Sequence, residues 1–134
     1  MPADIDIQLA QDRLAHLDEA LAEHAVDPTN TFLRDSVVLR FTFAFDGVAS
    51  TLRRYLLNVA PTHGSERTSP HRCLREAVDR GLVAEGSAWM LHADHRNHFD
   101  RESNADAIAA NAATFAADAR ALLNAMAQGI ADGG

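Results

Sequence analysis

Apolar residues recur along this chain at the three- and four-residue spacing that puts them on one face of a helix. In the first such segment Leu14, Leu17 and Leu21 share a face, and charged residues lie between them. This spacing, with turn and capping residues, predicts up to five helices, over about 4–24, 31–59, 70–80, 84–95 and 101–128. The predicted fold class is all-α, an antiparallel up-and-down helical bundle of four to five helices. It forms one domain over 1–128, followed by a frayed tail over 129–134.

The second predicted helix is apolar on more than one face. Phe41, Phe43 and Phe45 alternate as they would in a strand, but the row through Val37, Phe41 and Phe45, continuing to Val48, has helical spacing. A helix that is apolar on several sides is usually central in its bundle or shared with a second subunit. The pattern therefore predicts a homodimer.

Charged residues interrupt this apolar helix at Arg40, Asp46 and Arg53. Ionised groups in such a setting need partners or an aqueous cleft. Two interpretations of Asp46 stay open at this point. It forms a structural ion pair with Arg53 or Arg96, or it orients a functional arginine.

Composition excludes several classes of protein. The chain is 47% hydrophobic and 23% charged, which is ordinary for a globular domain, and all of its 12 basic residues are arginines. Its net charge of −7 argues against a general electrostatic attraction to nucleic acid. No signal peptide and no membrane span are visible, and the single Cys73 fits a reducing compartment, so we expect a cytoplasmic protein.

The polar residues concentrate at the end of the fourth predicted helix. His92, His95 and His98 are spaced i, i+3, i+6, so adjacent pairs share a face but all three do not converge easily on a metal ion, even with His16 or His24 added. Solvent-facing histidines at a helix end, where positive charge suits the helix dipole, are the simpler interpretation. We expect no metal and no cofactor.

Cys73 offers a second possible chemistry. It lies near a predicted helix N-terminus beside His71 and Arg72, and such neighbours lower a thiol pKa. No matching catalytic signature accompanies it, so a structural cysteine is the preferred interpretation.

The segment Arg96-Asn97-His98-Phe99-Asp100 carries the parts needed for RNA cleavage. A histidine can move the proton of the 2′-hydroxyl or of the leaving group, and an arginine can hold the scissile phosphate. The alternative is a solvated helix terminus without chemistry.

Several short segments occur in a characteristic order: Phe32–Asp46, Leu52–Leu56, Ser69-Pro70, Leu74–Ala77, Gly81-Leu82 and Ala88-Trp89 seven residues before Arg96-Asn97. Together they resemble the nucleotidyltransferase substrate-binding proteins, a branch of the HEPN superfamily, over roughly residues 10–125. The resemblance implies a helical bundle that forms a two-fold homodimer and partners a small nucleotidyltransferase of the minimal (MNT) type. It also implies that many such pairs are toxin–antitoxin systems in which the HEPN member is a metal-independent ribonuclease.

The resemblance implies a ribonuclease motif in which an Arg and a His are separated by four to six residues and are often followed closely by a Tyr that the partner adenylylates. By position, Arg96 and Asn97 match the start of the motif, and Asp46 matches an acidic position on the second helix. His98, however, follows Asn97 at once and Phe99 comes next. Without a gap the position expected to be His holds Arg101, and the Tyr is missing in either alignment. Arg96 and His98 can act together only if the helix ends between them. Regulation by adenylylation is therefore doubtful.

Three functions follow. The leading hypothesis is a nucleotidyltransferase substrate-binding or partner subunit that binds a nucleotide or RNA near Arg96 without efficient cleavage. The second is an active HEPN ribonuclease toxin with Arg96 and His98 as catalytic residues, and the third is a plain helical interaction module. The predicted nucleotide- or RNA-binding residues are Arg40, Asp46, Arg96, Asn97 and Asp100.

Overall fold

A computed structural model describes residues 6–58, 69–98 and 102–133 of the chain. Its elements are α1 (Gln8–Val26), α2 (Thr31–Asn58), α3 (Pro70–Asp79), α4 (Gly86–Asn97) and α5 (Glu102–Gly133). Every regular element in these ranges is a helix, so the predicted all-α bundle is confirmed. No helix in the described ranges has both the length and the apolar character needed to cross a membrane.

Local sequence explains where α2 and α3 begin. Asn30 precedes α2, and its side-chain oxygen accepts hydrogen bonds from the backbone N–H of Phe32 (2.9 Å) and Leu33 (3.2 Å). Ser69 caps α3 by accepting from the N–H of Arg72, and Pro70 occupies the first helical position. Both caps use residue types that favour the N-cap position.

The end of α3 follows from Gly81. Its φ of 77° lies in the left-handed region, which glycine adopts without steric cost. The reversed chain lets the N–H of Gly81 donate to Val78 and that of Leu82 donate to Ala77, which satisfies carbonyls at the helix end.

Three helix ends differ from the prediction. Helix α1 begins at Gln8, whose N–H donates to the Asp6 carboxylate at 2.8 Å, whereas the predicted start at Asp4 lies outside the described residues. Helix α4 begins at Gly86, two residues later than expected. Helix α5 passes through Gly129, where the apolar stripe predicted its end, and continues to Gly133.

Helix α2 is central, as its apolar pattern predicts, because it contacts all four other helices. An aromatic cluster joins it to α4 and α5: Phe41 meets Phe115 edge-on with ring centroids 4.9 Å apart, and Phe45 lies 6.4 Å from Trp89. The helices that the structure describes leave the remaining face of α2 uncovered. There Phe32, Leu39 and Phe43 stay 84%, 54% and 50% exposed.

Candidate functional site

Arg96 and Asp46 form a two-pronged ion pair between α4 and α2. Arg96 lies in the last turn of α4, and Asp46 lies near the middle of α2. The Nε of Arg96 donates to Oδ1 of Asp46 at 2.8 Å, and Nη2 donates to Oδ2 at 3.1 Å. Of the two partners that the sequence left open for Asp46, the structure selects Arg96. The two side chains remain 34% and 45% exposed, so a solute can reach the pair.

The carboxylate fixes both the charge and the direction of the guanidinium. The hydrogen bond that Arg96 donates to Asp46 raises the pKa of Arg96 above its ordinary value, against a smaller opposing effect of burial. A guanidinium has five N–H donors in a planar fork, and Asp46 occupies two of them. The other N–H groups lie in the plane set by Asp46, where they suit a phosphate or carboxylate oxygen.

Helix α4 ends between Arg96 and His98, the condition under which these two residues could act together. Its last residue is Asn97, and His98 follows with its side chain exposed. The Nδ1 of His98 lies 3.1 Å from the carbonyl oxygen of Asp94, and Asn104 of α5 donates to the carbonyl of His98 at 2.6 Å. Arg96 and His98 thus have different partners.

The other predicted binding residues have separate positions. Asn97, the residue after Arg96, is exposed, and Asp100 lies outside the described residues. Arg40 faces α1 instead, where its Nη1 donates to the carbonyl of His16 at 3.3 Å and lies 4.0 Å from a carboxylate oxygen of Glu19. The structure therefore does not bring Arg40 to the Arg96–Asp46 pair.

Arg40 belongs to an open groove of about 710 Å³ between α1 and α2. Leu9, Leu39 and Phe43 form its apolar part, and the charged side chains around it have both signs. Arg13 crosses the groove and donates to the carbonyl of Phe43 at 3.0 Å.

His92 is not the solvent-facing residue that its spacing indicated. It is fully buried, and both ring nitrogens contact side chains of α5: Nε2 lies 2.8 Å from Oδ2 of Asp118, and Nδ1 lies 3.0 Å from Nδ2 of Asn111. A carboxylate only accepts and an amide nitrogen only donates, so the arrangement fits the tautomer with its proton on Nε2. Trp89 and Phe115 meet the ring edge-on. We call His92, Asn111 and Asp118 the α4–α5 bracket.

One feature of the sequence points to this bracket. Asn111 and Asp118 are spaced i, i+7 and interrupt the alanine-rich apolar stripe of α5, which places two polar groups on one helix face. Because His92 precedes them by 19 and 26 residues, spacing alone could not join it to them.

His95 and His98 share no ligand geometry with His92. Within the described ranges no three His, Cys, Asp or Glu side chains come close enough together to hold a metal ion. The Nδ1 of His95 is buried with no hydrogen-bond partner in the part of the chain that the structure describes. Burial, followed by the nearby His92, lowers the pKa of His95.

Cys73 has the environment of a structural residue. It is 2% exposed within the core, and burial raises the pKa of its thiol, although the charge of Arg53 opposes the shift. A nucleophilic cysteine needs the reverse shift toward thiolate.

Comparison with known proteins agrees with this architecture. A family model described as nucleotidyltransferase substrate binding protein like matches residues 6–128. No curated protein matches the chain. The match covers all five helices up to the last turns of α5 and includes Asp46 and Arg96. This chain therefore belongs to the nucleotidyltransferase substrate-binding protein-like family, the HEPN branch that its sequence resembles.

Proposed function

We propose that this chain is the partner subunit of a small nucleotidyltransferase and that it binds the phosphate of a nucleotide or RNA at Arg96. The observation that carries the proposal is the Arg96–Asp46 pair, which orients an accessible guanidinium through two of its five N–H donors. Binding of this kind is local. It does not require a basic protein, and the net charge of −7 is compatible with it.

Binding without efficient cleavage is the form of this function that the geometry supports best. In-line cleavage of RNA needs a base and a phosphate-holding cation that converge on one linkage. Here Arg96 faces Asp46, whereas Nδ1 of His98, which follows the last residue of α4, contacts the carbonyl oxygen of Asp94. Asn97, between them in sequence and exposed, is available to supply an amide to the ligand.

The second candidate is a ribonuclease toxin of a toxin–antitoxin pair, and one observation favours it. If Nδ1 of His98 donates to the Asp94 carbonyl, the proton is held there and Nε2 keeps its lone pair, as a general base requires. Expression of the chain alone separates the candidates. Growth arrest that Arg96→Ala and His98→Ala each abolish identifies the ribonuclease, and harmless expression of the unchanged chain favours the binding subunit.

We further propose that the protein acts as a homodimer through the uncovered face of α2. Three large apolar side chains on one helix face, each half or more exposed, form a patch typical of an interface. Light scattering should give about twice the 14.5 kDa mass of the chain, and a monomer at all concentrations would contradict the dimer.

The binding proposal is tested by measuring ligand affinity in variants of two solvent-accessible arginines. ATP and a short single-stranded RNA are titrated into the unmodified protein, Arg96→Ala and the control Arg75→Ala, which removes an exposed charge from α3. Loss of a charge-assisted pair of hydrogen bonds should weaken binding by roughly 10- to 100-fold in Arg96→Ala. If Arg96→Ala and Arg75→Ala bound ATP and RNA with equal affinity, the ligand would bind at a site other than Arg96. Co-purification with the nucleotidyltransferase of a neighbouring reading frame tests the partner.

A further inference from the structure

A small cavity of about 120 Å³ lies between α5 and the segment that joins α3 to α4. Four large apolar side chains and two carboxylates line it, namely Leu82, Val83, Trp89, Leu122, Glu85 and Asp118. We call this space the Asp118 cavity. It adjoins the start of α4, and Gly86, the first residue of that helix, lies roughly 15 Å from Arg96 along the axis at 1.5 Å per residue. The Asp118 cavity is therefore separate from the Arg96–Asp46 pair.

Asp118 brings to this cavity a negative charge that no cation balances within the described ranges. Its Oδ2 lies 2.8 Å from Nε2 of His92, and no other side chain in those ranges pairs with the carboxylate. The His92 ring is neutral in this arrangement, because its Nδ1 faces the amide nitrogen of Asn111, which only donates. The Asp118 side chain is 32% exposed, so water supplies only part of the solvation that an ionised carboxylate needs.

The Asp118 carboxylate is also held in one position. His92 is fully buried and is bound on its other side by Asn111, so Asp118 cannot turn away without breaking the α4–α5 bracket. A fixed carboxylate beside apolar side chains favours a cation that carries a hydrocarbon chain over a hydrated inorganic ion, because the chain displaces water from the wall. Trp89 adds to that wall the aromatic residue type that attracts organic cations most strongly.

We propose that the Asp118 cavity binds an alkylammonium ion, with the ammonium group on Asp118 and the alkyl chain against the apolar wall. The volume limits the length of the chain. Since a water molecule takes up about 30 Å³ in the liquid, the cavity holds a chain of about four or five heavy atoms, the size of butylammonium. This site goes beyond the proposed nucleotide site, and failure of either proposal leaves the other standing.

The charge around the cavity favours the same class of ligand. Glu85 is exposed, and one of its oxygens accepts a hydrogen bond from the Ser87 hydroxyl at 3.0 Å, which leaves its other oxygen for the ammonium group. The net charge of −7 raises the local concentration of cations. A carboxylic acid or a phosphate of the same size would meet two carboxylates. The cavity therefore suits amines and excludes anions.

A matched pair of ligands tests the proposal. Butylammonium and 1-butanol have the same alkyl chain and differ in the charge of the head group. Each is titrated at equal ionic strength and followed by ligand-observed NMR and by the emission of Trp89. We expect a dissociation constant of about 1 mM for butylammonium and binding at least about tenfold weaker for 1-butanol. Equal affinities, or no saturable binding of butylammonium, would overturn the proposal.

Asp118→Asn isolates the contribution of the charge. An asparagine oxygen still accepts from the Nε2–H of His92, so this variant keeps the bracket contact that Asp118→Ala removes. It should weaken butylammonium binding by about tenfold and change 1-butanol binding by less than about twofold. The matched control is Asp79→Asn, which removes an exposed carboxylate from α3 and should leave both affinities unchanged. Equal losses in the two variants would show a general effect of net charge and would overturn the site.

Ala121→Leu tests the cavity without touching the bracket, so the proposal stays falsifiable if Asp118→Asn does not fold. Ala121 is an exposed residue of α5 that lines the cavity, and a leucine there would occupy part of its volume. Both ligands should bind about tenfold more weakly to this variant. Unchanged binding of butylammonium would mean that the amine binds outside the cavity, which would overturn the proposal.

An alkylammonium group can belong to a free amine or to a lysine side chain of another protein. Nα-acetyl-lysine methylamide carries the same group on a peptide backbone and separates these two sources. Binding within about threefold of butylammonium would identify a lysine side chain as an occupant, and weaker binding would restrict the cavity to free amines.

Discussion

The Nε2 atom of His92 lies 2.8 Å from Oδ2 of Asp118, which joins a fully buried imidazole of α4 to a half-buried carboxylate of α5. Asn111 contacts the other ring nitrogen two turns away along α5. Sliding α4 along α5 would break both contacts at once. The bracket therefore fixes the register of the helix that carries Arg96 one turn beyond His92.

Asp118→Ala should destabilise the fold through this bracket. It leaves the buried Nε2–H of His92 without an acceptor, which costs about 1–3 kcal/mol of unfolding free energy. Chemical denaturation measures the loss, and Asp79→Ala, which removes an exposed carboxylate from α3, is the matched control. Equal stability of the two variants would show that the bracket does not contribute to folding.

Asp46→Ala should weaken nucleotide binding even though it removes a negative charge from the site. The reason is that Asp46 holds the Arg96 guanidinium in a single orientation through two hydrogen bonds. Titration calorimetry at constant salt compares it with Asp94→Ala, which removes an exposed carboxylate from the same helix as Arg96. We expect a roughly tenfold loss for Asp46→Ala and no loss for the control. Tighter binding by both variants would mean that Asp46 merely neutralises the arginine.

Gly129→Ala should destabilise α5, although alanine is the better helix former by about 1 kcal/mol. A Cβ at this position would overlap the hydroxyl end of the Tyr55 ring, which is 6% exposed and packs over the glycine. The expected net loss is about 1–3 kcal/mol. In a double-mutant cycle, Tyr55→Phe should recover part of it by removing the hydroxyl. Additive effects of the two changes would contradict the contact.

Acid should destabilise the protein through His95. Because burial lowers the folded-state pKa of His95 below its ordinary value of about 6.5, the unfolded chain binds this proton more readily. Its contribution to stability is therefore complete above about pH 6.5 and falls as the pH decreases toward the lowered pKa. Denaturation of His95→Leu between pH 8 and pH 5 should show a smaller loss than the unmodified protein. If the unfolding free energies of the two proteins depended on pH in the same way, His95 would not be the cause of the acid destabilisation.

Some contacts of the candidate site could be predicted from the sequence, and others could not. The Arg96–Asp46 pair could be anticipated, because a carboxylate embedded in an apolar helix needs a cation and few were available. Arg40 was grouped with Asp46, yet six residues of a helix turn the chain through about 600°, which puts them on different sides of α2. A helical projection would have separated them. The burial of His92 depends on packing between α4 and α5, which local spacing does not encode.

Trp89, the chain's one tryptophan, meets the His92 ring edge-on with centroids 5.2 Å apart. Indole emission depends on the surroundings of the ring, so the emission of Trp89 gives a label-free optical readout of how α4 packs against α5. A nucleotide or a nucleotidyltransferase can be added while this emission is measured. A change in emission would show that binding at the Arg96 end of α4 alters the packing of that helix in the core.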